Sequence, residues 1–286
     1  MRQFVKAALS GLLLTGLLAS GASAQEPDKK GPCEIKLGSN LATLKLPKDF
    51  GYINKEHTQE ILKKQANNNP NSLGLIYSMK KGDEFCVFLS FVETGYVEDN
   101  DADQLKPDEI IEGYKQGTEA SNEERKKRGI PALHVVGWET QPKYEKAKHV
   151  VVWSLLAQRE GSSEKSVNYN TRMLGRKGVL EVNLVCQDKE LNKYKEPLNK
   201  ILDGVSYDSG NRYEDYVKGD KISAGGIAAL VAGSFALKKL GVLAFLGGLL
   251  KPLLLLGKKA IVIVIAGVYG IFSKLFGKKK DDSVAE

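Results

Sequence analysis

The sequence predicts an α+β protein: a mostly antiparallel sheet of about six or seven strands packed by two or three helices, followed by a C-terminal transmembrane helical segment. Three observations lead there. Strand-like runs follow one another with few helices long enough to serve as crossovers, which favours antiparallel neighbours. Two of the runs close around a short glycine-bearing turn in a register that gathers apolar residues on one face. From 222 to 276 there is no acidic residue, and long apolar stretches lie between lysines. With 286 residues, 42% hydrophobic and 27% charged, the composition is that of a globular protein with a sizeable core. A wholly disordered chain, a collagen and a polytopic membrane protein are excluded.

At the N-terminus, Arg2 and Lys6 precede an apolar run over 7–18, and Ala22-Ser23-Ala24 offers a small-x-small cleavage site before Gln25. This three-part pattern is that of a secretory signal peptide over 1–24, and the run is too short to span a bilayer. Residues 25–221 then form the exported domain. Strand-like runs fall at 41–46, 73–79, 84–94, 132–138, 149–158, 165–174 and 179–187. Thr58 is expected to cap a short helix through Gln65. Pro107 and Asp108 open a longer one, with Ile110, Ile111 and Tyr114 on one side, ending before Gly129. A third runs over 188–203, bent at Pro197, with Leu198, Ile201 and Leu202 towards the core.

The hairpin around Gly175, Arg176, Lys177 and Gly178 sets its own register. Leu174 pairs with Val179, so Met173 faces Leu180, Thr171 faces Val182, Tyr169 faces Leu184 and Val167 faces Cys186. The other face pairs Arg172 with Glu181 and Asn170 with Asn183. An oppositely charged cross-strand pair contributes roughly 0.2–1 kcal/mol, and a surface salt bridge is the preferred reading of Arg172. Asn170, Arg172 and Arg176 form the alternative, a binding face.

The hydrophobic region covers 222–276, with its firmest crossing at about 254–273, and a charged tail follows at 277–286. A stretch of this length crosses a bilayer of ~30 Å. Lysines at its ends can reach the headgroups, and Lys278, Lys279 and Lys280 place the tail in the cytoplasm. An exported domain with a cytoplasmic tail requires one or three crossings. Gly225, Ala229 and Gly233 recur at the four-residue spacing that lets helices approach in lipid, a route to self-association or to a membrane-protein partner.

Charge excludes one function class. The net charge of +7 resolves into +2 over 1–24, −1 over 25–221 and +6 beyond. The domain is balanced, whereas a nucleic-acid-binding domain carries a local basic excess. The partner implied is the lipid bilayer. Candidate chemistry is sparse. His57, His134 and His149 have no nucleophile or metal-ligand partner at a diagnostic spacing, and no phosphate-binding loop, dinucleotide fingerprint or nucleophile elbow occurs. Cys33, Cys86 and Cys186 would permit one disulfide in an oxidising compartment, though Cys86 and Cys186 read as small buried apolar residues. Asp99, Asp101 and Asp103 match the first half of a calcium loop, but Gln104 stands where glycine is needed and Ile110 where glutamate is needed. An acidic loop ahead of a helix is the better reading. No cofactor is implied.

Several segments together resemble a known family. They are Gly95-Tyr96-Val97 with the acids after it, Asn122-Glu123-Glu124-Arg125 with Arg128-Gly129, Gly137-Trp138 with Pro142-Lys143-Tyr144, the run from Val167 through Arg172 with Leu174-Gly175-Arg176 and Gly178-Val179, and Gly225-Gly226 leading into the lysine-rich apolar tail. The chain resembles the bacterial predicted membrane-anchored proteins called domain of unknown function 2167. The resemblance implies an envelope protein with a signal and an anchor, and it implies no reaction. The element order is also similar to that of small exported domains of the photosystem-accessory, PsbP-like type, a likeness of fold that carries no function. The expectation is a non-catalytic interaction or structural module of the bacterial inner membrane, its main domain exported and its tail cytoplasmic. A ligand- or ion-binding domain is the alternative. An enzyme with a dispersed site built around His134 or His149 is the third reading.

Overall fold

The computed structural model describes residues 26–64, 67 and 69–232. The signal at 1–24, the crossing at 254–273, the tail and Gly233 lie outside the described residues. Among the described residues no helix is long and apolar enough to cross a membrane.

The described residues form eleven strands and three complete helices, and a further helix starts at Ile227. The strands are β1 (Lys29–Lys30), β2 (Cys33–Leu37), β3 (Ala42–Leu46), β4 (Phe50–Ile53), β5 (Ser72–Ser78), β6 (Cys86–Val92), β7 (Leu133–Glu145), β8 (Val150–Arg159), β9 (Lys165–Leu174), β10 (Val179–Gln187) and β11 (Val205–Tyr207). The helices are α1 (Lys55–Lys64), α2 (Pro107–Lys127) and α3 (Leu191–Asp203). Eight strands form one sheet in the order β1-β4-β5-β6-β10-β9-β8-β7, and β11-β3-β2 form a second. Every pairing between these strands is antiparallel. The α+β expectation holds, with a larger main sheet than the six or seven strands expected.

The sheet is covered on both faces. Leu180, Val182, Leu184 and Cys186 of β10 share one core with Val87 and Leu89 of β6, with Leu44 and Leu46 of the small sheet and with Leu191, Tyr194, Leu198 and Ile201 of α3. The α3 spacing of three and four residues is one stripe of a helix, which is why it lies along the sheet. On the opposite face, Leu62 of α1 packs on Phe88, Cys86 and Val185. Ile110 and Ile111 of α2 pack on Val151, Trp153 and Leu155. With both faces buried, β10 alternates between two interiors rather than between core and water.

Three departures from the sequence reading have physical causes. The helix α1 begins earlier than Thr58: Asn54 Oδ1 accepts the His57 N–H at 3.0 Å, so Asn54 is the cap,. Thr58 lies inside, fully buried, and donates its hydroxyl to the Ile53 carbonyl. Strand β7 runs on past Pro142 to Glu145. It is an edge strand, where a missing N–H costs no ladder bond. Its three register shifts blunt an edge that would otherwise invite strand addition. The cysteines are all free, and Cys86 and Cys186 are buried apolar residues, as expected. Cys86 and Cys186 sit on opposite faces of the sheet.

The third departure concerns Arg172. The hairpin register is as read, from Leu174 opposite Val179 to Val167 opposite Cys186, but the polar face is no surface. It lies beneath the helices, with Arg172 6% and Glu181 8% exposed. The alternation is legible in sequence, whereas the cover supplied by α2 is not.

Candidate functional site at the C-terminal edge of the domain

The acidic loop before α2 is turned towards the end of the described chain. Asp101 accepts two backbone hydrogen bonds, from Ile227 N–H at 2.7 Å and Ala228 N–H at 3.1 Å. These are the orphan donors of a helical turn that starts there, with Leu230 N–H bonded to the Gly226 carbonyl. The cap therefore comes from a carboxylate 126 residues away, where a local Ser or Asp is the usual provider. Gly226 is required by this approach, since a Cβ there would overlap the Asp101 carboxylate. Asp99 Oδ2 accepts the Tyr144 hydroxyl at 2.8 Å. Asp103 is exposed in the short turn Ala102–Gln104. The three aspartates point to different partners, and among the described residues no group of three His, Cys, Asp or Glu could hold a metal ion.

The strand-like passage before that turn is also gripped. Tyr96 N–H bonds the Lys221 carbonyl and Ser223 N–H bonds the Tyr96 carbonyl, both at 2.8 Å, making a parallel bridge to Ile222. Gly95, at φ +90°, lets the backbone come this close, because a side chain would strike the Lys221 carbonyl,. Further on, the Tyr114 hydroxyl of α2 donates to the Val231 carbonyl at 2.7 Å. Ile227 and Val231 are fully buried, in the same core as Ile110, Leu133 and Trp153. Residues 222–232, the beginning of the apolar region, are thus part of the folded domain. Gly225 and Ala229 lie within them.

An aromatic cluster backs this edge. Tyr213 stacks on Tyr96 at 4.5 Å and on His149 at 4.1 Å, and Tyr216 packs on Tyr96 at 4.3 Å. The Tyr213 hydroxyl donates to the Val97 carbonyl at 2.9 Å. His149 holds a left-handed backbone, φ +51°, which a non-glycine residue adopts only when its surroundings fix it. Its Nδ1 meets the Tyr144 hydroxyl at 3.1 Å and its Nε2 meets Glu214 Oε1 at 3.4 Å. Burial, then the hydrogen bond to Asp99, pushes the Tyr144 phenol far up, so it stays protonated as a donor. Beside the cluster, Arg176 grips Asp220 in a two-pronged pair, Nε to Oδ2 at 2.7 Å and Nη2 to Oδ1 at 3.0 Å. The Arg176 contact, aided by the Val217 N–H, holds the Asp220 carboxyl down at about 2.

Asn170 and Arg172 are elsewhere. They lie buried under α2, and Arg172 bonds Glu181 Oε1 at 3.0 Å and Asn183 Oδ1 at 2.6 Å while its guanidinium covers the Trp153 ring at 4.9 Å. Ser90 Oγ completes the set by donating to Glu181 Oε2 at 2.7 Å. Arg176, in the turn, does not share a face with them. His57 and His134 are tied to Asp28 and Glu119. Sequence reasoning quoted Tyr96 and Tyr144 within the family segments without giving either a role, and passed over Tyr213 and Tyr216. The one available sign was the clustering of Tyr207, Tyr213 and Tyr216 just ahead of the apolar region.

Fold and site together define an α+β sheet domain that folds the start of its own apolar tail into its core. The chain belongs to the family described as "Protein of unknown function (DUF2167)", whose model matches residues 29–269. No curated protein matches the chain. Among solved structures, the chain is similar to cyanobacterial PsbP (CyanoP) from Synechocystis sp. PCC 6803, at 7% identity and TM-score 0.37, covering 61% of this chain and 91% of that one. It is also similar to the Saccharomyces cerevisiae Ran-binding protein Mog1p, at 8% identity and TM-score 0.32, covering 62% and 96%.

Proposed function

We propose that the chain is a membrane-anchored protein of the bacterial envelope, exported by its N-terminal signal and held by its lysine-flanked apolar region, with the main domain outside the cytoplasmic membrane and the tail inside. The domain acts as a non-catalytic interaction module. The observation that carries this reading is the Asp101 cap with the burial of Ile227 and Val231. A domain that commits the Asp101 carboxylate, the Tyr114 hydroxyl and the close approach at Gly95 to the first part of its apolar tail is built to work with that tail attached. The converging titratable groups point the same way, since Asp99, Asp101, Tyr144 and Arg176 are all engaged within the protein. The alternative for 222–232, a self-association surface in lipid through Gly225 and Ala229, has less support, because these residues adjoin buried Ile227 and Val231.

Fractionation of cells producing the full chain with a C-terminal tag tests the proposal. The chain is expected to stay in the membrane through alkaline carbonate washing. External protease on spheroplasts should digest the domain and leave the tag protected. Release by carbonate, or a tag digested in intact spheroplasts, contradicts the assignment.

A further inference from the structure

A second feature adjoins the Arg176 turn, where Gly95 N–H bonds the Lys177 carbonyl and Arg176 N–H bonds the Asn211 carbonyl, both at 3.0 Å. A cleft of about 390 Å³ opens where the β2–β3 turn, the first residue of α1, the start of β5, the end of β6 and the β9–β10 hairpin turn meet. This lies within the size range of small-molecule sites, which combine an apolar lining with a few polar groups (about 300–1,000 Å³). Leu41, Leu73 and Phe91 supply the apolar part. Lys55 and Lys177 supply two cations; among the described residues neither is in a close ion pair, and the Lys177 charge also helps to hold the Asp220 carboxyl down. One acid, Glu93, stands on the lining, and its carbonyl faces Lys221 Nζ at 3.4 Å. The walls are fixed: Phe91 N–H bonds the Asn71 carbonyl at 3.0 Å, the Tyr52 hydroxyl bonds the Leu73 carbonyl at 2.6 Å and Asn211 Nδ2 bonds the Asn40 carbonyl at 2.6 Å. What sets these two lysines apart is that they share one braced, partly apolar cleft.

We infer that this cleft binds a small amphiphilic anion, a molecule with one phosphate or carboxylate on an apolar body, the anion between Lys55 and Lys177 and the body against Leu73 and Phe91. Its source is either a free metabolite or a lipid headgroup with part of its chain.

Site-resolved lysine acetylation of the full chain in nanodiscs, read by mass spectrometry, tests the inference. Hexyl phosphate is expected to slow labelling of Lys55 and Lys177 saturably, while Lys36, Lys126 and Lys200 label as before. Inorganic phosphate should need about tenfold higher concentration, the effect of burying two methylene groups, and hexanol should protect neither lysine. Protection without added ligand in phosphatidylglycerol discs, absent in phosphatidylcholine discs, would assign the lipid source; protection only with added hexyl phosphate would assign the free one. Equal protection of all lysines, no protection, or equal potency of inorganic phosphate overturns the inference. A Phe91→Ser chain whose far-ultraviolet circular dichroism matches the parent should lose the preference for hexyl phosphate while keeping the phosphate effect, and a retained preference also overturns it.

Discussion

Single side chains decide how the end of the domain is held, and Asp101 is the clearest. Its carboxylate satisfies two helical N–H groups that have no local cap. Loss of such a cap costs about 0.5–2 kcal/mol, so Asp101→Ala should lower the unfolding free energy of the full chain in urea by that amount, and Asp99→Ala should leave the Ile227 and Ala228 amides as protected as before. Asp220 gives a pH signature. Its folded value of about 2 lies below its ordinary 3.8, so the stabilisation it shares with Arg176 is complete above pH 4 and fades as pH falls towards 2. Asp220→Asn should therefore unfold more easily than the parent at pH 7, with the gap closing near pH 2. A gap that persists in acid would mean the pair is not its origin. The cysteines offer a third reading. Burial pushes the thiols of Cys86 and Cys186 up to about 12, and reactivity follows the thiolate. At pH 8 a thiol reagent should modify Cys33 in the folded chain and reach the other two only on unfolding.

At the scale of elements, the β9–β10 hairpin shows what the sequence makes legible. A short turn fixes register, and an alternating pattern fixes which residues share a face, so every pair from Leu174–Val179 to Val167–Cys186 was readable. Long runs such as β5, β6 and β8 were readable for the same reason. What covers the second face is a tertiary fact, and it turned Arg172–Glu181 from a surface pair into a buried one. Strands β1, β4 and β11 escaped because two to four residues are too few to show a period, and β2 escaped although β3, of the same five residues, was read. The site was less legible still. The acidic run and the glycine pair at Gly225-Gly226 stood out as motifs, but nothing in either says that they meet. Burial makes the Arg172 pair unforgiving. Removing one partner of a buried ion pair costs about 3–5 kcal/mol, whereas replacing both with apolar residues of similar volume is often neutral. Glu181→Ala should destabilise the chain by that order in urea unfolding, and the double change Arg172→Met with Glu181→Leu should recover most of it.

On the scale of the whole molecule, the packed domain continues through Ala232, beyond the point where the charge pattern changes at 222. Fully burying a side chain such as Ile227 or Val231 contributes about 1.5–3 kcal/mol, and both sit in the core beneath α2. A chain ending at Lys221 should accordingly be destabilised or unfolded, while one ending at Ala232 keeps its cap and core. The interaction-module reading adds that the anchor beyond Ala232 is what brings the domain to its partners at the membrane. The most direct measurement is in-cell crosslinking of the full chain beside the chain ending at Ala232, each with its native signal and followed by fractionation. The account predicts that the full chain stays in the membrane and yields discrete crosslinked species, and that the shorter chain is folded, released from the membrane and stripped of those species. A shorter chain that remains in the membrane, or a full chain that washes off it, would contradict the account.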